Sequence, residues 1–439
     1  MSRIKIYHLG CIAGLAKAIQ LIDLGKKYGI ELAEAGEETD NHLIITCMGT
    51  GVTIQSFYDI MEDILNRIND KEKIIIVGCF NKEGEYLKKM FEGQQNIRVI
   101  EDENWPRPVI NEIMGLSEKT TERDILDGRK LPIFNNSDGN PSEVVIKYMI
   151  EDGCTNRCSF CKNNYIKDPT VKSISEEVVL KYLREKIAAG TRQIILGGEN
   201  TTLYGIDLYG RRTLHSLIRK LSEEEGLEYI SVDELTVANM YPELFEELLN
   251  NPKVTSMQFQ LESASNKILK LMNRGHTIQT YDDYIAELMK KGKYIGTILM
   301  SGYPGETYDD LDETIEYMQR RGIYTVGISE YEDHHCLPSS KKEQLPDEEK
   351  RNHTNYLAKA ITENNYRVMV GSMQTIETAI LTAKFNGYYI FSTPNTCSGG
   401  GYGIGKDFAD LEPGAILKIK PKSIDNSLKV IEKRGVYRF

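Results

Sequence analysis

Three cysteines within eight residues, Cys154, Cys158 and Cys161, follow directly on a β-prone apolar run, Val144–Ile150. Three thiolates on one loop hold three irons of a cubane [4Fe–4S] cluster and leave the fourth iron open. A structural zinc site generally takes a fourth Cys or His at short spacing, and none lies nearby in the sequence. An open iron can chelate the amino and carboxylate groups of S-adenosylmethionine (SAM). One electron then breaks the S–C5′ bond, and the adenosyl radical abstracts a hydrogen atom. The cofactor carries such chemistry, and the protein supplies ligands and orientation. Phe160, just before the third cysteine, is placed to lie against the adenine.

The sequence around this loop reads as a series of βα units. Strands are expected at Val144–Ile150, Gln193–Leu196, Tyr229–Val232, Thr255–Leu261, Tyr294–Met300 and Tyr324–Ser329, with helical patterns between them. Leu311, Ile315 and Met318 form one helical stripe, preceded by Thr307 and Asp310 as a capping box with Asp in place of Glu. Six such units predict a partial (β/α)6 barrel over residues 143–370, with its chemistry at the C-terminal ends of the strands. Gly197-Gly198-Glu199 ends the second strand. The glycines would let the backbone approach a ligand, and Glu199 is the expected partner of the SAM amino group. Glu262, Ser263 and Ser265 end the fourth strand and are expected near the ribose, a plain helix-cap role for the serines being the alternative. Pro304-Gly305-Glu306 reads as a tight turn.

The first hundred residues form a separate βα series. Ile4–Leu9, Leu43–Thr46 and Ile74–Gly78 are short apolar strands, and Phe57, Ile60, Met61, Ile64 and Leu65 recur at helical spacing. A doubly wound α/β domain is expected over residues 1–103. Cys11, Cys47 and Cys79 each stand at or just after a strand end. In a parallel sheet all strand C-termini share one edge, so the three thiols should converge and hold a second cubane with an open iron. Ordinary core cysteines are the alternative. Residues 104–142, with Trp105-Pro106-Arg107-Pro108 and the turn-rich run 135–141, read as a linker. The tail, 371–439, has a Gly-rich turn at Ser398–Gly405 and β-prone segments, and is expected to form a small β domain. His334-His335-Cys336 follows the sixth strand, where an ordinary loop is favoured over a metal or substrate site; Cys397 receives no role.

Charge and hydropathy narrow the function. The formal charge is −11, which argues against a non-specific electrostatic grip on nucleic acid. No apolar run is long enough to span a membrane, and Met1–Leu9 lacks the apolar centre of a signal peptide. A cytoplasmic protein is expected, and in that compartment metal sites are a better use of eight cysteines than disulfides.

Together the two cysteine groups resemble the methylthiotransferases of the radical SAM superfamily. The resemblance extends to Ile194–Asn200 with Tyr204-Gly205, to Gln260–Ser265 with Leu269 through Met272-Asn273-Arg274, and to Gly302–Thr307. It implies an N-terminal cluster domain, a central radical SAM barrel and a C-terminal TRAM-like β domain. It further implies two [4Fe–4S] clusters, SAM as methyl donor and radical source, and insertion of a methylthio group at an unactivated C–H bond. A reducing partner such as flavodoxin or ferredoxin is expected. The sequence departs from the family at Lys162-Asn163-Asn164-Tyr165, where a Pro and an Arg-Gly pair are usual. Glu199 and Glu262 stand where Gln is usual, and Tyr331–Leu337 replaces a Tyr-Ser-x-Arg-x-Gly-Thr stretch. Known branches modify a tRNA adenosine or a protein side chain. The tail carries nine basic against six acidic residues, a weak anchor for tRNA. A peptide or protein substrate is therefore the first expectation and tRNA the alternative; an auxiliary cluster that only relays electrons or positions substrate is the other reading.

Overall fold

The computed structural model describes residues 2–8, 18, 21–22, 25, 28–33, 38–47, 51–69, 72–79, 87, 89–100, 107–115, 130–135, 141–163, 169–334, 336–372, 377–385, 388–393, 402–405, 411–419, 423–425, 428–431 and 436–437. The chain divides into two compact units. The first comprises Met1–Leu131 with Lys162–Pro169; the second comprises Pro132–Cys161 with Thr170–Phe439.

In the first unit, β1 (Ser2–His8), β2 (Ile30–Leu32), β3 (Asn41–Cys47), β4 (Lys73–Cys79) and β5 (Ile97–Ile100) form one sheet in the order β2-β1-β3-β4-β5. All four pairings are parallel. Continuous apolar strands suit a sheet covered on both faces. Leu43, Ile45, Ile75 and Val77 pack on one side with Val109, Ile110 and Ile113, while Ile44, Ile74 and Ile76 pack on the other with Phe57, Met61 and Ile64. The order 2-1-3-4-5 is the flavodoxin-like doubly wound arrangement, whose direction of winding switches between β1 and β3. Cys47 and Cys79 are the last residues of adjacent strands and are paired in register. Cys11, three residues beyond β1, lies outside the described residues.

The expected linker holds regular structure. Helix Arg107–Met114 contributes its apolar face to the core of the first unit, and β6 (Lys130–Asn135) joins the sheet of the second. Pro and turn residues drew attention to this stretch, but its short Val-Ile-Ile stripe was enough to hold a helix against the sheet.

The second unit is an open half-barrel. Beyond β6 it contains β7 (Pro141–Met149), a two-stranded ribbon of β8 (Glu151–Asp152) and β9 (Lys172–Ser173), then β10 (Gln193–Gly197), β11 (Tyr229–Leu235), β12 (Val254–Glu262), β13 (Tyr294–Ser301) and β14 (Tyr324–Glu330). The main sheet runs β14-β13-β12-β11-β10-β7-β6, and the pairings from β7 through β14 are parallel. These are the six expected strands, and each C-terminus faces the same rim. The expected capping box is present: Thr307 N–H donates to Asp310 Oδ2 at 2.9 Å. A helix over Asp347–Ser372 packs on β14 and on helix Tyr308–Arg321. It leads into a mostly antiparallel sheet, β15 (Glu377–Phe385), β16 (Tyr388–Ser392), β17 (Tyr402–Gly405), β18 (Ile416–Ile419), β19 (Ser423–Asp425), β20 (Leu428–Ile431) and β21 (Val436–Tyr437). The end of the expected Gly-rich turn, Tyr402–Gly405, is therefore a strand. Ile380 of β15 packs with Val145 and Ile195, so this sheet shares a compact unit with the half-barrel.

Candidate cofactor site at the mouth of the half-barrel

The chain leaves β7 through β8 and enters the loop that carries Cys154, Cys158 and Cys161. None of the three is in a disulfide; Cys158 is buried and the other two are half-buried. The loop forms no helix or strand over 153–161, so it is held from outside. Ser159 N–H donates to the Met272 carbonyl at 2.9 Å. Its hydroxyl donates to the Leu271 carbonyl at 3.0 Å, and its own carbonyl accepts from Ser339 Oγ at 2.8 Å. Asn273, in the left-handed region at φ 58°, donates from Nδ2 to the Arg157 carbonyl at 2.7 Å. The turn Leu271–Arg274 thus acts as a clamp on the cysteine loop.

Two side-chain donors are aimed at sulfur. Asn200 Nδ2 lies 3.4 Å from Cys154 Sγ, which also accepts from Asn156 N–H at 3.4 Å. Arg274 Nη1 lies 3.3 Å from Cys158 Sγ. Donors of this kind stabilise thiolates and tune the potential of a cluster they ligate. Burial works against the Arg274 charge, and the neighbouring Cys158 and Glu262 keep it cationic. Burial likewise pushes Glu262 up, with Arg274 pulling the other way. Glu262 ends β12 at φ 70°, beside a register shift between Gln260 and Glu262. A left-handed glutamate costs energy, and such strain concentrates at functional sites.

Gly197 and Gly198 are required by the protein's own side chains. A Cβ on Gly198 would fall 1.8 Å from Glu151 Oε1, and one on Gly197 would fall 2.5 Å from Lys147 Cε. The Glu151 carboxyl accepts from Asn200 N–H at 2.7 Å and also from Glu199 N–H. Burial pushes its pKa well up, with the Asn200 and Glu199 amides pulling the other way, and it sits under the Gly-Gly-Glu loop as a buried anchor. That fold-back carries Asn200 to Cys154 and leaves Glu199 half-buried at the rim. Phe160 is also half-buried.

Below the rim lies a buried ionic network. Lys147 Nζ donates to Asp233 Oδ2 at 2.8 Å and lies 3.6 Å from Glu234 Oε1. The amide of Gln260 donates to the same Glu234 carboxyl. Glu234 is left-handed at φ 59°, and burial pushes its pKa to about 7.

The serines have a structural role. Ser263 Oγ lies 3.3 Å from Thr314 Oγ1 and accepts from Ser265 N–H at 3.2 Å, and Ser265 Oγ donates to Asp310 Oδ1 at 2.7 Å. These contacts hold helix Tyr308–Arg321. Glu306 also turns inward: it accepts from Gly302 N–H at 2.6 Å and lies 3.1 Å from His353 Nδ1. His334 Nδ1 is 2.9 Å from Cys336 Sγ; His335 and Cys397 fall outside the described residues.

Reading the residues in order missed Glu151, Asn200, Asp233, Glu234 and Arg274 as parts of the site. The signal for Asp233 and Glu234 was present, because two acids directly extend the β11 run Tyr229–Val232. Arg274 and Asn200 were visible only as members of longer stretches, since what distinguishes them is contact with sulfur across the fold.

The family model for the radical SAM superfamily matches residues 148–318. The chain is 28% identical over 334 residues to the ribosomal protein uS12 methylthiotransferase RimO of Clostridium botulinum (strain Eklund 17B), covering 74% of this chain and 68% of the relative. It is 27% identical over 370 residues to RimO of Caldicellulosiruptor saccharolyticus, covering 80% of each. A third alignment, with RimO of Clostridium botulinum (strain Langeland), is 33% identical and spans only 45% of that protein. Among solved structures, the radical S-adenosylmethionine methyltransferase TsrM from Kitasatospora setae shares the fold, with a TM-score of 0.55, 11% identity and coverage of 77% of each chain. A barrel of this kind works with SAM and a [4Fe–4S] cluster, and the cysteine triad with its two sulfur-directed donors suits that cluster. Residues 148–318 therefore carry a radical SAM domain, and along most of its length the chain is similar to methylthiotransferases of the radical SAM superfamily.

Proposed function

We propose that this enzyme inserts a methylthio group at an unactivated C–H bond of a peptide or protein, using two [4Fe–4S] clusters. One observation carries the two-cluster reading. β3 and β4 put the backbones of Cys47 and Cys79 side by side at the C-terminal edge of the first sheet, about 4.8 Å apart by strand spacing. In the sequence Cys11 comes three residues after β1, the neighbour of β3 on its other side, and doubly wound sheets bind ligands at the winding switch between those two strands.

When bound, the barrel cluster and SAM would supply an adenosyl radical, and the second cluster an open coordination site for sulfur. Cys154, Cys158 and Cys161 would ligate the first cluster and Cys11, Cys47 and Cys79 the second. Phe160, Gly197, Gly198 and Glu199 line the rim where SAM would lie. Glu262 would meet its ribose end, within the field of the Arg274 charge. A protein substrate is supported by the relatives, which are named for modifying ribosomal protein uS12, and by the −11 charge of the chain. A reducing compartment such as the cytoplasm suits a chain in which Cys154, Cys158, Cys161 and Cys336 form no disulfide. No helix among the described residues is long and apolar enough to cross a membrane.

The test is an iron and sulfide count on anaerobically reconstituted protein, with and without Cys11, Cys47 and Cys79 changed to Ala. Two clusters in the native protein and one in the triple variant, with SAM cleavage retained by both, are expected. One cluster in the native protein would reduce the N-terminal cysteines to core residues and remove the physical basis for methylthio transfer. Product mass then separates the chemistry from a relay cluster, and steep, salt-dependent binding of tRNA would overturn the peptide assignment.

A further inference from the structure

We propose that Glu234, in the lumen of the half-barrel, binds a lysine or arginine side chain of the peptide substrate, so that the enzyme selects peptides with a cation near the residue that reacts. This rests on the reading of the substrate as a peptide and names the feature by which it would be chosen.

Ring contacts fix which side chains face the lumen. Tyr148 of β7 stacks on Tyr182 of helix Glu176–Ala188 at 5.0 Å between centroids, and Phe259 of β12 meets Tyr281 of helix Ile278–Lys290 at 6.2 Å. Both belong to the helix-covered face of the sheet. Successive side chains on a strand point to opposite faces, so Lys147, Gln258 and Gln260 face the lumen. Exposure follows the same alternation. Phe259, Leu261 and Leu299 are buried, whereas Gln260, Ile298 and Met300 are half-buried. The lumen is therefore open along β12 and β13.

β11 departs from this alternation. Between Val232 and Leu235 it holds one residue more than β12 holds between Met257 and Phe259. A bulge of this kind re-aims a side chain beside a site. Asp233 and Glu234 turn to the same side, and both reach Lys147 Nζ, at 2.8 and 3.6 Å. The Asp233 and Lys147 side chains are sealed off, 0% and 4% exposed, while Glu234 is 20% exposed. Glu234 also takes the amide of the half-buried Gln260. It is thus the member through which the network meets the open lumen.

The network contains two carboxylates and one ammonium. Among the described residues, Asp233 Oδ1 has no hydrogen-bond partner, and burying a carboxylate oxygen without one is costly. The cation acting on Glu234 is Lys147, and Asp233 opposes it. The site is one cation short, and a proton held by Glu234 near neutral pH makes up the difference. An ammonium or guanidinium entering from the lumen would take the place of that proton and leave two charges of each sign. A neutral or acidic side chain gains no such balance. The ammonium of SAM has its own expected carboxylate, Glu199 at the rim.

The experiment uses full-length reconstituted enzyme with SAM bound and a pool of acetylated, amidated decapeptides of random sequence, at about 0.15 M salt so that distant charges are screened. Retained peptides are identified by mass spectrometry. Wild type should enrich lysine and arginine at least about fivefold over glutamine and leucine. Glu234→Gln, which keeps an acceptor for Lys147, should lose the enrichment, and Glu234→Lys should reverse it toward aspartate and glutamate. Ile298→Lys puts an ammonium opposite Gln260 and leaves the network intact; it too should lose the enrichment. Equal enrichment in wild type and Glu234→Gln would overturn the proposal, because the overall charge of −11 would then be the cause. A wild-type pool without basic preference would also overturn it, and is the result expected if the ammonium of SAM fills the site. In both cases peptides are still retained and the peptide reading stands. Retention of no peptide, together with tight and salt-dependent binding of tRNA, would overturn the peptide reading and this proposal with it.

Discussion

Replacing Glu306 with Gln should stabilise the second unit and abolish a pH dependence built into the end of β13. The Glu306 side chain is 2% exposed. Its carboxyl takes the Gly302 amide at 2.6 Å and faces His353 Nδ1 at 3.1 Å. Burial pushes its pKa from 4.5 to about 8, with the Gly302 hydrogen bond pulling down less strongly. Burial also lowers the pKa of His353, so at pH 7 the folded protein holds a neutral acid beside a neutral imidazole. In the unfolded chain the same glutamate ionises near its ordinary value. Between the two values the folded state keeps a proton that the unfolded state has released. The stabilisation is fully present below pH 4.5 and is lost as pH rises through about 8. At about 1.4 kcal/mol per pH unit, the loss reaches roughly 3 kcal/mol at pH 7 and roughly 5 kcal/mol above pH 8. Gln keeps an oxygen for the Gly302 amide and cannot ionise, but it changes the contact with His353, which costs about 1 kcal/mol. Glu306→Gln should therefore be slightly less stable than wild type at pH 5 and more stable by about 2 kcal/mol at pH 7, a rise in Tm of roughly 4–8 °C. Urea and thermal unfolding of reconstituted protein, followed by far-ultraviolet circular dichroism at pH 5, 7 and 8.5, would read this directly. A variant that retains the wild-type pH slope, or is less stable at every pH by roughly 3–5 kcal/mol, would refute the reasoning. The second result would mean that Glu306 is ionised and paired with a protonated His353.

Three further substitutions probe the cofactor site. Gly198→Ala places a methyl group 1.8 Å from Glu151 Oε1, and calorimetry should show SAM binding weakened at least about tenfold, as expected for overpacking of 1–3 kcal/mol; unchanged affinity would mean that the loop can move off Glu151. Arg274→Met removes the donor to Cys158 Sγ and leaves Glu262 buried without its cation. It should destabilise the fold by roughly 3–5 kcal/mol and shift the midpoint potential of the barrel cluster, and an unshifted potential would confine the guanidinium to a structural role. Lys147→Met strands Asp233 and Glu234 and should cost roughly 3–5 kcal/mol, most of it recovered in Lys147→Met/Asp233→Leu; a double variant no better than the single would show that the network is not the source.

Period and spacing made the strands legible. All six barrel strands begin or end within a few residues of the apolar runs that announce them, because a strand covered on both faces must be apolar along its length. The cysteine loop and the capping box at Thr307 were legible for a similar reason, since each depends on a few residues close together in sequence. Helix Asp347–Ser372 was not, because its apolar stripe is weak and Asn364 is held by the Ile323 carbonyl, 41 residues away. A serine at a strand end serves a ligand or a helix equally well, and the contact of Ser263 with Thr314, 51 residues away, cannot be read from its neighbours in sequence. Glu151 and Arg274 were silent because charge alone says nothing about burial. Their importance comes from contacts 49 and 116 residues distant.

The two acids that distinguish this chain from the family pattern, Glu199 and Glu262, make different demands on the fold. Glu199 is half-buried at the rim, where water can solvate a carboxylate, so its charge adds an attraction for an ammonium group at little cost. Glu262 is buried, and a lone carboxylate there would neutralise rather than stay charged. Arg274 resolves the difference. Its guanidinium reaches Cys158 Sγ through Nη1 and the Gln260 carbonyl through its other terminal nitrogen, and Glu262 is the second anion that keeps it charged. Glutamate at 262 and arginine at 274 therefore act as a pair, and the sulfur of Cys158 receives a charge-assisted hydrogen bond that would be less well supported with a neutral amide at 262. The acid at the end of β12 thus bears first on the cysteine loop: its charge supports a cation that donates to the sulfur of Cys158.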